Sequence, residues 1–117
     1  IVETGRMKDL LDRHGSAFMR RILTHFETLC ASERRDTVPF IAGRWAAKEA
    51  VSKAMGCGIG KECAWMEIEI VPDASGRPCV KLSGRAEATA DRLGVKHIHL
   101  SISHERGHAI ATVIMES

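Results

Sequence analysis

With 117 residues, 44% of them hydrophobic, and a formal charge of +2, the chain can bury one modest core and is too close to neutral for charge alone to argue nucleic-acid binding. No run of 18 apolar residues and no secretory-type leader is present, so a soluble, cytoplasmic single domain over residues 1–117 is expected. Cys30, Cys57, Cys63 and Cys79 include no C-x-x-C pair and read as reduced thiols rather than a disulfide framework or a zinc site.

Ile1 to Glu3 reads as the end of a strand, and because the first residue is Ile rather than Met, further residues are expected upstream. Met7 to Gly15 predicts a short helix with Leu10 and Leu11 inward and Gly15 as its stop. Ser16 or Thr24 can cap the next helical turn, whose apolar partners are Phe18, Ile22, Leu23 and Phe26. Arg6, Lys8, Arg13, Arg20 and Arg21 make this stretch basic, which suits either a solvated surface or a dock for an acidic partner.

A charged loop from Ser32 to Thr37 leads to Pro39, in the first turn of a long helix through Met55. On a helical wheel Phe40, Gly43, Ala47, Ala50, Val51 and Ala54 form a small apolar face, and Arg44, Trp45, Lys48, Glu49, Ser52 and Lys53 fall on the opposite, solvated arc. Glu49 and Lys53 at i,i+4 make a favourable pair of about 0.2–0.5 kcal/mol, while Arg44 and Lys48 at the same spacing repel; an anion would relieve that repulsion. Trp45 among charges is costly to leave in water unless something covers it.

Gly56-Cys-Gly58-Ile-Gly60-Lys61 follows the helix and so is not a P-loop, which needs the positive end of a helix dipole. Two readings stay open for it: a helix stop, or backbone amides turned toward a phosphate. Trp65 to Val71 alternates as a half-buried strand with Met66, Ile68 and Ile70 inward, turns at Asp73–Gly76 and returns antiparallel over Pro78–Leu82. Gly84 to Gly94 predicts an amphipathic helix with Leu93 inside. His97 to His104 alternates again, and Ala109 to Met115 reads as a buried strand. The order predicts an α+β domain, a mostly antiparallel sheet packed against a long central helix. His97 and His99 share a solvated strand face with no third ligand to complete a zinc site. Ser103 beside His104 lacks the G-x-S-x-G elbow of a hydrolase.

Phe40 to Gly60, with its Arg44, Trp45, Ala46-Ala-Lys-Glu-Ala50, Lys53-Ala54 and glycine loop, resembles the signature of the holo-[acyl-carrier-protein] synthases, the small phosphopantetheinyl transferases of fatty-acid synthesis. Ser101-Ile-Ser103-His104 and Ile1-Val2-Glu3 with Arg6 resemble two further blocks of that family, in the same order. The resemblance implies the 4'-phosphopantetheinyl transferase fold and transfer of 4'-phosphopantetheine from coenzyme A to a serine of apo-acyl-carrier protein. It implies Mg²⁺ on Glu49 and on an aspartate that would precede Ile1. It further implies coenzyme A phosphates on Lys53, Arg44, His104 and the loop of Gly56, Gly58 and Gly60, with Lys53 positioned to protonate the leaving group. By the same resemblance an acidic carrier docks on Arg6, Arg13 and Arg21, with Met7 and Met19 against its apolar patch, and the family assembles as a homotrimer with sites between subunits. The base for the carrier serine is either Glu49 through a water or a carboxylate of the carrier. Two alternatives compete: a non-catalytic nucleic-acid module on Arg20, Arg21, Arg34 and Arg35, and a catalytically inactive structural trimer of the same fold.

Overall fold

A computed structural model describes residues 1–117. In chain order these form β1 (Val2–Glu3), α1 (Thr4–Ile22), α2 (His25–Ser32), α3 (Thr37–Ala54), a 3-10 turn (Trp65–Glu67), β2 (Ile68–Pro72), β3 (Pro78–Leu82), α4 (Gly84–Arg92), β4 (His97–Glu105) and β5 (His108–Glu116). The first helix begins three residues before the expected Met7 and resumes after Gly15, which sits at φ 54°, ψ −133° and kinks it. That left-handed φ is why a glycine stands there. Thr24, not Ser16, provides the next cap: its hydroxyl accepts the Glu27 N–H and the Glu27 carboxylate accepts the Thr24 N–H, a reciprocal capping box. Asp36 caps α3 through the Val38 N–H at 3.1 Å.

Two antiparallel sheets result, one ordered β1-β5-β4 and one a β2-β3 hairpin. The long β4-β5 ladder pairs His97 with Glu116 and Leu100 with Val113. The short β1 pairs Glu3 with His108 on the other edge of β5. α3 lies between two clusters of buried side chains. On one side Phe40, Ile41 and Ala42 pack with Met7, Ile22 and Leu23. On the other, Ala47, Val51 and Met55 pack with Ile68, Ile70 and Ala86, and Leu100, Ile102 and Val113 of the sheet close over them. His104 and Ile102 come so close to α3 that a Cβ on Gly43 would sit 3.1 Å from the imidazole and 3.2 Å from the isoleucine methyl.

Several expectations change. Trp65–Glu67 is a turn rather than strand, because the Glu67 carboxylate accepts the Ala64 N–H, and Met66 is left 41% exposed. α4 ends at Arg92 and leaves Leu93 exposed, its core face being Ala86, Thr89 and Ala90. β5 is half-buried, not buried, since α3 covers only one face of the sheet and Ile114 points outward.

The largest departure is Lys48. Because α3 is covered on two sides, the solvated arc of the wheel is narrower than the sequence suggests, and Lys48 is fully buried together with Glu27. Its ammonium uses all three donors: Glu27 Oε1 at 2.6 Å, the Ile22 carbonyl at 2.6 Å and the Trp65 carbonyl at 3.1 Å. Glu27 Oε2 accepts the Ile70 N–H at 2.8 Å. Burial lowers the Lys48 pKa, and the facing Glu27 opposes that shift.

Replacing Lys48 by Met should lower the unfolding free energy by about 3–5 kcal/mol in urea titration, because Glu27 is left as an unpaired buried charge. A loss of under about 1 kcal/mol would contradict the pair's role. Burial also pushes the Cys63 thiol up to about 12 from 9.0. Between those values the native chain keeps a proton that the unfolded chain releases, so the unfolded state binds fewer protons and this group lowers stability as pH rises above 9. Thermal unfolding from pH 8 to 10.5 should therefore show a smaller alkaline loss in Cys63→Ala than in the parent, and thiol reagents should label exposed Cys79 before Cys63.

Candidate functional site

Glu49 follows buried Lys48 by one residue, about 100° around α3, and that rotation takes its carboxylate out of the core into an open cleft of about 290 Å³. The walls come from three elements: Ile1, Val2 and Glu3 at β1, Arg6, Met7 and Leu10 on α1, and His108 at the start of β5, with Trp45 as the floor beside Glu49. The pairing of Glu3 with His108 brings both to the same edge. Glu49 Oε1 accepts the Trp45 indole N–H. Its second oxygen makes no hydrogen bond, and Glu49 is among the residues that line the cleft.

The expected Glu49–Lys53 ion pair does not form; Trp45 holds Glu49 instead, and Lys53 is exposed one turn on. Trp45 itself is covered as its cost in water requires: Phe18 stacks on it at 5.3 Å and Trp65 tilts against it at 5.2 Å, centroid to centroid.

A second groove, of about 400 Å³, adjoins the first and shares Arg6, Leu10 and Trp45 with it. His14, Ala17, Phe18 and Arg21 complete it. Arg6 and Arg21 therefore flank one apolar trough, while Arg13 is exposed outside it. Met7 and Met19 do not line this groove. Met7 is fully buried and Met19 packs half-buried on the core, so Leu10, Ala17 and Phe18 are the apolar surface there.

The remaining predicted residues lie apart from the cleft. Arg44 is half-buried with its guanidinium 4.2 Å over the Phe40 ring, and Arg34 stands 4.9 Å from the same ring. Burial lowers the Arg44 pKa, with Glu27 opposing, and its Nε is buried with no hydrogen-bond partner. His104 Nε2 lies 2.9 Å from the Pro39 carbonyl, at the first turn of α3. The amides of Gly56 and Gly58 donate to the carbonyls of Lys53 and Ser52, and that of Gly60 to Cys63. Those amides close the helix and the loop rather than pointing outward, which corrects the amide-cradle reading. No atom lies within 4 Å of the Cβ position of Gly56, Gly58 or Gly60, so the loop offers bare, open backbone. His97 and His99 lie on the exposed face of β4, with His99 2.5 Å from Glu116.

No three His, Cys, Asp or Glu side chains converge as metal ligands. One carboxylate oxygen without a hydrogen-bond partner, on a residue that lines an open cleft, suits a hard cation such as Mg²⁺, which takes most ligands from phosphate and water. Sequence reading did not single out His108 or the partnership of Trp45 with Glu49. An aromatic N–H donor four residues before a carboxylate on one helix was the available signal for the second. Nothing local announced the first, which depends on a pairing between residues 3 and 108.

The profile of the 4'-phosphopantetheinyl transferase superfamily matches residues 1–113. A holo-[acyl-carrier-protein] synthase of Vibrio campbellii is 43% identical over all 117 residues, which span 93% of that protein. Among solved structures, the holo-[acyl-carrier-protein] synthase of Neisseria meningitidis superposes with a TM-score of 0.93 at 34% identity, covering 99% of this chain and 93% of that one. The Helicobacter pylori holo-[acyl-carrier-protein] synthase, solved in complex with coenzyme A, gives 0.86 at 32% identity over 98% and 95% of the two chains. Agreement along the whole length, in sequence and in fold alike, makes this chain a member of the 4'-phosphopantetheinyl transferase superfamily.

Proposed function

We propose that the chain transfers 4'-phosphopantetheine from coenzyme A to a serine of apo-acyl-carrier protein and releases adenosine 3',5'-bisphosphate, as a single domain over residues 1–117 acting in cytoplasmic fatty-acid biosynthesis. The observation that carries this reading is the free oxygen of Glu49 in an open cleft that joins an apolar trough flanked by arginines. The carrier serine attacks the phosphorus next to pantetheine, and the bond to the bridging oxygen of the pyrophosphate breaks. The serine proton passes either through a water to Glu49 or to a carboxylate of the carrier, and Lys53 returns a proton to the leaving phosphate. Mg²⁺ when bound would be held by Glu49 and would neutralise pyrophosphate charge. Arg44 and His104, with the bare loop of Gly56, Gly58 and Gly60, take the phosphates and chain of coenzyme A. Arg6 and Arg21, with Arg13 nearby, meet the acidic carrier.

His104 and Arg44 do not line the Glu49 cleft. That separation supports a homotrimer in which neighbouring subunits complete each site. The nucleic-acid alternative has less support, because its arginines form no single face: Arg34 lies over Phe40 while Arg21 lines the trough.

Weighing the carrier by mass spectrometry after incubation with coenzyme A and Mg²⁺ tests this directly, and one phosphopantetheine should be gained per carrier. Glu49→Gln should slow that gain by about 10³-fold with an unchanged unfolding midpoint, and parent-like transfer would overturn the role of Glu49. Arg6→Ala and Arg21→Ala should each raise the carrier KM roughly threefold to tenfold, more than Arg13→Ala, and added salt should shrink the difference. A salt-independent carrier KM in the parent would reject the arginine dock.

A further inference from the structure

Trp45 is the one side chain that borders both cavities and also donates a hydrogen bond to Glu49. Its ring is fixed from two directions, by Phe18 on α1 and by Trp65 ahead of β2, so its indole N–H has little freedom to point elsewhere. An indole nitrogen can only donate, and a carboxylate that accepts from it presents its other oxygen in a set direction. We propose that Trp45 is a positioning residue: it aims the free oxygen of Glu49 into the cleft, and through its stack on Phe18 ties that aim to the trough where the carrier docks. This inference rests on the transfer reading above.

Three features support it. Glu49 has no other side-chain partner, so without the indole its carboxylate would be free to rotate about its side-chain torsions. The donor is four residues earlier on the same helix, so the contact is built into α3 and does not depend on a loop. The ring forms part of the trough surface beside Phe18 and Arg21, so a carrier helix seated there would touch the ring that orients Glu49. Donors behind a metal-binding carboxylate typically account for 10–100-fold in metal affinity or activity. A purely packing role for the ring would leave both unchanged when the N–H alone is removed.

Trp45→Phe removes that N–H and keeps an aromatic ring for the stack. The expected result is a kcat lowered about 10-fold or more, a half-saturating Mg²⁺ concentration raised by a similar factor, and an unfolding midpoint close to that of the parent. Parent-like kcat and Mg²⁺ requirement would overturn the proposal. A second measurement does not depend on that variant folding. In Trp65→Phe, Trp45 is the only tryptophan, and its emission should change on titration with Mg²⁺ in the presence of coenzyme A. The change should vanish when Glu49→Gln is added. Emission indifferent to Mg²⁺, or a response that survives Glu49→Gln, would also overturn it. If the parent chain transfers no phosphopantetheine, the transfer reading fails, and the emission titration still decides on its own whether Trp45 senses Glu49.

Discussion

Lys48 reaches through the interior to Glu27, and that buried pair fixes how α1, α2, the 3-10 turn and β2 sit against α3. Its ammonium binds the last turn of α1 through the Ile22 carbonyl and the turn ahead of β2 through the Trp65 carbonyl. Its partner caps α2 through the Thr24 amide and holds β2 through the Ile70 amide. One ion pair therefore joins five segments drawn from three separate stretches of the chain. A pair this dry contributes little net energy compared with apolar residues of the same volume, yet breaking it by removing one partner is costly. We read it as a device for register: α1, α2 and β2 can take only one position relative to α3.

The site inherits its precision from that arrangement. Lys48 and Glu49 are neighbours on α3, and fixing the first in the core fixes where the second emerges. Trp65, whose carbonyl accepts from Lys48, also supplies the ring that leans on Trp45. The chain from core to cleft thus runs from Glu27 through Lys48 and Trp65 to Trp45 and Glu49. Along the same helix, His104 meets the first turn and Lys53 stands near the last, so α3 carries the proposed chemistry over its full length.

Much of this was legible in the residues. The long helix, the β2-β3 hairpin, the β4 alternation and the glycine stop could all be read from local pattern, because period, caps and turn residues act over a few positions. The family blocks marked Glu49, Lys53 and His104 as candidates for the site. What the residues hid was long-range. A wheel cannot show that α3 is covered on two sides, and on the wheel Lys48 falls on the solvated arc. Glu27 looks like an ordinary charged residue of a short helix until Lys48 faces it. For the glycine loop the residues leave a helix stop and an amide cradle both open until the Lys53, Ser52 and Cys63 carbonyls claim the amides, and His108 enters the cleft only through its pairing with Glu3.

Crystals of the chain grown with coenzyme A and soaked in Mn²⁺ would test the central claim most directly, through anomalous scattering. The account predicts a single strong peak within coordination distance of the unpartnered oxygen of Glu49 and beside the pyrophosphate, with the indole of Trp45 still on the other oxygen. A peak remote from Glu49, or a bound pyrophosphate with no metal near that carboxylate, would contradict it.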